Sequence, residues 1–217
     1  MKTLYIEARK KFNLSEINFS ALDNLNGKTI SLCATIQYID LIPKVKDYLE
    51  KRNKKVILKK GAFYTGHVLG CNSSAFDDKA DILLLIADGK FHAMNNAIQQ
   101  QREIYVFNTE TLEKVTKDEI QQQNKKILAK KKKFLSAKVV GILSSTKYGQ
   151  KNKAIEVIRK KIEKLGKEVY VFECDNVDVN EFENFPQIEI WINTACFGLA
   201  RDDNRIINLT DISKYIL

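Results

Sequence analysis

A chain of 217 residues with 44% hydrophobic and 29% charged residues, two prolines and nine glycines has the make-up of a folded globular protein, which excludes a disordered chain. No apolar run approaches the roughly 18 residues that cross a bilayer, and Met1 to Lys10 carries charges where a signal peptide would have its apolar stretch, so a cytoplasmic protein is expected. The formal net charge of +9 leaves open a solvated basic surface or an acidic or RNA-rich partner.

In chain order, β-branched runs predict strands at Thr3 to Glu7, Thr29 to Ala34, Val56 to Lys59, Ile82 to Ala87, Ile104 to Phe107, Lys138 to Leu143, Glu168 to Phe172 and Ile188 to Asn193. Between them, helical spacing predicts helices at Ile39 to Arg52, Ala93 to Gln101, Lys117 to Phe134 and Lys151 to Leu165. In the last helix Ile155, Ile158, Ile162 and Leu165 would share one buried face. Strands alternating with helices predict an α/β fold of two small doubly wound, Rossmann- or flavodoxin-like parallel-sheet domains. The basic helix ending near Ser136 is the natural joint, giving domains 1–135 and 136–217. Each opens with a strand and a Thr-containing turn, Ala34-Thr35-Ile36-Gln37 in one and Ser145-Thr146-Lys147-Tyr148 in the other, as two copies of one domain type would.

Open parallel sheets bind ligands beyond the carboxyl ends of their strands, which directs attention to the loops there. Four cysteines in a reducing compartment are either buried small hydrophobes or ligands rather than disulfides. Cys71, in the glycine-flanked loop Gly66 to Asn72, and Cys196, directly after the strand ending at Asn193, sit where a thiolate could bind a metal or cluster. Cys33 falls inside a strand, and Cys174 lies among acidic residues that would raise its pKa, so both read as structural. No Cys-x-x-Cys pair is present, and spacing alone leaves Cys71 and Cys196 open between ligand and inert thiol.

Two more loops could bind a polar small molecule. Asp88-Gly89-Lys90-Phe91-His92 places a carboxylate, a flexible glycine, a cation and an imidazole at a helix start, though Asp88 could equally cap the helix while His92 packs. Ser144 to Gln150 offers hydroxyls and Lys147 before a helix, without the P-loop pattern.

Taken in order, Thr35-Ile36-Gln37, Gly66-His67-Val68-Leu69-Gly70-Cys71, Asp88-Gly89-Lys90-Phe91-His92, Ser145 to Gln150 and Asn193-Thr194-Ala195-Cys196 resemble the archaeal 2-(3-amino-3-carboxypropyl)histidine synthases of diphthamide biosynthesis, from near Lys28 to the C-terminus. The resemblance implies three similar α/β domains in a dimer, each giving one cysteine to a 4Fe-4S cluster that binds and reductively cleaves S-adenosylmethionine. It further implies transfer of the resulting 3-amino-3-carboxypropyl radical to a histidine of elongation factor 2. Carried onto this chain, it makes Cys71 and Cys196 the cluster ligands of the family's second and third domains. By the same resemblance Asp88, Gly89, His92, Lys147 and Gln150 are candidates to line the cofactor pocket.

The family's first domain, with its cysteine, has no counterpart in the matching region, and Cys33 occupies a position that is ordinarily aliphatic. Phe197 and Gly198 stand where proline and arginine are common. A separate first-domain polypeptide is therefore expected, within a homo- or hetero-oligomer and without a membrane. A non-catalytic partner subunit of the same pathway is the alternative reading. A basic RNA-binding module is a third, although no aromatic-basic RNA motif is visible.

Overall fold

The computed structural model describes residues 4 and 6–216, the side chain of residue 202 excepted. The chain divides into two compact units, Met1–Gln121 and Gln122–Leu217. The expected strand at Thr3 to Glu7 lies partly outside the described residues, and Leu4, Ile6 and Glu7 form no strand.

In the first unit the elements are β1 (Thr29–Ala34), α1 (Ile42–Glu50), β2 (Lys55–Ile57), β3 (Ile82–Ile86), α2 (Lys90–Gln100), β4 (Ile104–Phe107) and β5 (Leu112–Val115). The sheet order is β2-β1-β3-β4-β5. Its first four strands are parallel, and β5 returns antiparallel to β4. Central strands buried on both faces must be apolar throughout, and all five residues of β3, Ile-Leu-Leu-Leu-Ile, are buried. The two faces carry separate cores, one with Leu32, Tyr38, Val45 and Leu49, the other with Cys33, Val68, Leu85 and Ala97. The helix expected at Ile39 to Arg52 is a 3-10 turn over Ile36–Leu41 followed by α1, because Pro43 fits only the first turn of an α-helix.

A helix α3 (Lys117–Ser136) joins the units, and the division falls after its first turns. The expected joint after residue 135 lies at its far end. Thr116 and Glu119 start it with a capping box: the Glu119 amide donates to the Thr116 hydroxyl at 3.2 Å, and the Thr116 amide to the Glu119 carboxylate at 2.7 Å.

The second unit contains β6 (Val139–Ser145), α4 (Ile155–Glu163), β7 (Glu168–Cys174), β8 (Ile190–Asn193), α5 (Leu199–Asp202), β9 (Ile206–Asn208) and α6 (Leu209–Ile216). All four strands are parallel, in the order β7-β6-β8-β9. Phe134 and the α4 residues Ile155, Ile158 and Ile162 pack on one face, and Phe182, Ile188 and Trp191 on the other. Each large side chain so buried contributes about 1.5–3 kcal/mol. Leu165 departs from the expected buried face: α4 ends at Glu163, and Leu165 beyond it is 45% exposed. Gly141 sits mid-strand because a Cβ there would lie 2.7 Å from the Trp191 ring, leaving no room for a side chain. Both units are thus the expected doubly wound α/β sheets. Among the described residues no helix is long and apolar enough to cross a membrane.

Candidate functional site

In the first unit the chain leaves β1 toward β2 on one side, while β3 lies on the other, so the strand order reverses between β1 and β3. The returning segment Gly66 to Val68 brackets the last residue of β1: Ala34 N–H donates to Gly66 O at 2.8 Å and Val68 N–H to Ala34 O at 3.1 Å. The Cys71 loop is thereby brought to the carboxyl end of the sheet. Leu69 and Asn72 exchange two backbone hydrogen bonds of 3.1 Å, closing a two-residue turn with Gly70 and Cys71 at its tip. The Cys71 thiol is free and exposed.

Helix α2 lies under this turn. A Cβ on Gly70 would stand 3.4 Å from Asn95 Nδ2 and 3.5 Å from His92 Cδ2. The amides of Asn96, Gln99 and Gln100 donate to the carbonyls of Leu69 (2.8 Å), Gly70 (2.9 Å) and Ser73 (3.1 Å). The fold therefore brings His92 beside the Cys71 turn.

Gly89 forms the N-cap of α2 at φ 75°, ψ −175°, a conformation essentially reserved for glycine, and no side chain caps the helix. Asp88 is therefore not the cap. It is exposed, and its carboxylate, after burial itself, holds the Tyr38 phenol above its ordinary pKa, while Lys10 Nζ lies 3.5 Å from that phenol oxygen. Lys90 turns away from the loop to pair with Glu119 at 3.2 Å. His67 is only 2% exposed, with no hydrogen-bond partner at either ring nitrogen, and burial keeps its pKa below the ordinary imidazole value.

In the second unit the order reverses between β6 and β8. The Thr194 N–H and hydroxyl both donate to Leu143 O, at 3.1 and 2.8 Å, prolonging the parallel pairing of β8 with β6 by one residue beyond Asn193. Cys196, free and exposed, follows on a turn held by two buried asparagines. Asn193 Nδ2 donates to Cys196 O (2.8 Å) and to Asn208 Oδ1 (2.7 Å), and Asn208 Nδ2 to Phe197 O (3.2 Å). Lys130, within the basic run of α3, is 5% exposed and donates to Ala200 O in α5, so this lysine bolts down the helix after Cys196 rather than joining a solvated face.

Lys147 and Gln150 lie on an exposed turn, where the Lys147 ammonium donates to Asn176 and the Gln150 backbone N–H to Lys147 O. The expected helix start at Lys151 is displaced to Ile155, so Lys147 does not stand at a helix N-terminus. Cys33 is sealed in the core, where burial raises its thiol far above the ordinary value. Cys174 ends β7, with its thiol raised by burial first and then by Asp175. Among the described residues no three His, Cys, Asp or Glu side chains are gathered as a metal site. Sequence reasoning missed the supporting amides of α2 and Asn208. The signal for the α2 amides was the polar run Asn95-Asn96 and Gln99-Gln100 on a helix that must also bury a face; Asn208 had none.

The profile of the family described as "Putative diphthamide synthesis protein" matches residues 1–206, farther toward the N-terminus than the five loops reach. The 2-(3-amino-3-carboxypropyl)histidine synthase of Methanocaldococcus jannaschii is 30% identical over 216 residues, covering 94% of this chain and 57% of that protein. The protein of the same name from Pyrococcus horikoshii is 26% identical, covering 93% of this chain and 60% of that one. The crystal structure of Dph2 from Pyrococcus horikoshii with a 4Fe-4S cluster superposes with a TM-score of 0.77 at 24% identity, over 92% of this chain and 60% of that one. The chain thus spans less than two thirds of the length of these relatives.

Proposed function

The chain belongs to the diphthamide synthesis protein family, and on that premise we propose that it is a cytoplasmic subunit of the iron-sulfur enzyme that transfers a 3-amino-3-carboxypropyl group from S-adenosylmethionine to a histidine of elongation factor 2. The observation that carries this reading is the pair of free, exposed thiols, Cys71 and Cys196, each at the carboxyl end of its own sheet beside the reversal of strand order, while Cys33 is sealed and Cys174 disfavoured as a thiolate.

The donor set fits a 4Fe-4S cluster in part. Such clusters are held by thiolates, and Cys71 and Cys196 supply two. The third comes, in this proposal, from the family's first domain, which lies outside the region that this sequence spans. When bound, the cluster would supply the electron that breaks a carbon-sulfur bond of S-adenosylmethionine. This chain's residues would orient that ligand. The Asp88 carboxylate can accept from an ammonium, and the open backbone of Gly89 allows close approach to the first amides of α2, which favour a carboxylate. His92 stands between this loop and the Cys71 turn, and Lys147 and Gln150 are the proposed cofactor contacts of the second unit.

The deciding experiment is anaerobic reconstitution, alone and with a candidate first-domain partner, read by iron and sulfide content and electron paramagnetic resonance. The expected result is a reducible 4Fe-4S signal that requires the partner and is lost in both Cys71→Ala and Cys196→Ala. Failure to form a cluster in any combination would leave the family and fold standing and replace catalysis by a supporting role.

A further inference from the structure

We infer that Asn96, Gln99 and Gln100 are positioning residues for Cys71, and Asn193 and Asn208 for Cys196, each set of amides orienting its turn so that peptide N–H groups face the sulfur of the bound cluster; this rests on the reading of both cysteines as ligands. Asn96, Gln99 and Gln100 stand at i, i+3 and i+4 and so project from one face of α2. All three donate into backbone carbonyls of the Leu69 to Ser73 segment, at 2.8, 2.9 and 3.1 Å. In a trans peptide the carbonyl and the following N–H point in opposite directions. Drawing the Leu69 and Gly70 carbonyls down onto α2 therefore turns the Gly70 and Cys71 N–H groups outward, on the side away from the helix.

The composition of α2 shows that closing the core is not the whole purpose. Asn95 and Asn96 are 1% and 0% exposed, and each leaves its carbonyl oxygen Oδ1 without a hydrogen bond. A leucine or methionine would fill such a position without stranding a polar atom, and stranded acceptors are destabilising. For Asn96 the gain that offsets this is the donor it directs at Leu69 O.

The same device recurs in the second unit on a different scaffold. Asn193 and Asn208 donate to Cys196 O and Phe197 O, which turns the N–H groups of Phe197 and Gly198 the other way. Hydrogen bonds to cluster and ligand sulfur raise the reduction potential, so these amides would set it without touching the cluster.

The test uses the full chain and Gln99→Met, since Gln99 is exposed and its loss spares the core, with Gln99→Arg as the variant that keeps a donor. In the chain without cluster, hydrogen exchange of the Leu69 and Asn72 amides should accelerate about tenfold in Gln99→Met, the equivalent of one net hydrogen bond, while the Cys196 turn stays unchanged. With the partner and cluster, the midpoint potential should fall in Gln99→Met and return in Gln99→Arg. Unchanged exchange overturns the inference. Faster exchange with an unaltered potential and resonance spectrum also overturns it, by reducing the amides to structural support. If even the unsubstituted chain takes up no cluster, it is the reading of the cysteines that fails, and the failure is seen in the parent rather than in the variant.

Discussion

The four thiols should separate sharply under a reagent that attacks only accessible thiolate. Cys33 is 0% exposed on the central strand β1, and burial drives its thiol far above the ordinary value, with Lys59 and Ser31 opposing only in part. It can react only when the first unit opens. For a domain of about 5 kcal/mol stability the open state is populated roughly once in several thousand, so Cys33 should be labelled about three to four orders of magnitude more slowly than an open cysteine. Cys71 and Cys196, exposed on turns, need no opening. Cys174, half-buried and raised by burial and then by Asp175, should fall between. The assay is a time course of N-ethylmaleimide labelling of the cluster-free chain near neutral pH, resolved by peptide mass spectrometry. Two fast sites at Cys71 and Cys196 are expected, with urea accelerating Cys33 in step with unfolding. Labelling of Cys33 or Cys174 as fast as Cys71, or protection of Cys71, would refute the assignment of which thiols are available as ligands.

Two further outcomes follow from the first unit. Gly89→Ala adds a methyl group into open space, so its whole cost is backbone strain at φ 75°, about 1–3 kcal/mol; a loss of thermal stability smaller than this range by circular dichroism would contradict the reading of the turn before α2. His67 has a folded pKa below its unfolded value, chiefly from burial, with Arg9 adding to the effect and Glu7 opposing it. The unfolded chain therefore takes up the proton first as pH falls: the stability due to the neutral imidazole is full above the unfolded pKa near 6.5, is lost between the two values, and changes no further below the folded one. Urea unfolding of the parent should weaken relative to His67→Phe on going from about pH 7.5 to about pH 5.5, and parallel pH profiles would refute the neutral buried state.

Strands buried on both faces were legible because nothing but apolar residues can occupy them: β1 and β4 fall at the expected residues. The edge strand β5, Leu-Glu-Lys-Val, escaped, since a strand solvated on one face reads as loop when it is four residues long. The three-residue β9 gives no periodicity at all. Helix α4 starts at Ile155 because Gly149 at φ 83° and the Asn152 side chain, accepting from Ala154 N at 2.9 Å, hold the preceding residues in turns that no helical spacing reveals. At the candidate site, the sequence marks the cysteine loops as glycine-flanked or strand-ending segments. It does not mark thiol exposure or the amides of α2, because a glutamine directed at a distant carbonyl looks in sequence like any glutamine on a helix surface.

The expectation that the two halves are copies of one domain type needs a sharper form. In each sheet the first strand is central, the second lies outside it and the third on its other side: β2-β1-β3 in one, β7-β6-β8 in the other. The cysteines nevertheless occupy non-equivalent connections. Cys71 lies between the second and third strands, and Cys196 after the third. Position along the repeat therefore does not locate the thiol. What the two share is an anchor on the carboxyl-terminal part of the first strand: Val68 N–H donates to the carbonyl of Ala34, which ends β1, and Thr194 N–H to that of Leu143, near the end of β6, three and two residues before the respective cysteines. Each of these bonds anchors the chain where the strand order reverses, the place where a parallel sheet leaves a crevice open to a ligand. A repeat aligned on its opening turns, Thr35 against Thr146, would pair Cys71 with the β7 to β8 connection, where the described chain carries no exposed cysteine. Aligned on the crevice instead, the two cysteines correspond, which implies that the place of the thiol, rather than the loop that delivers it, is the feature the two units hold in common.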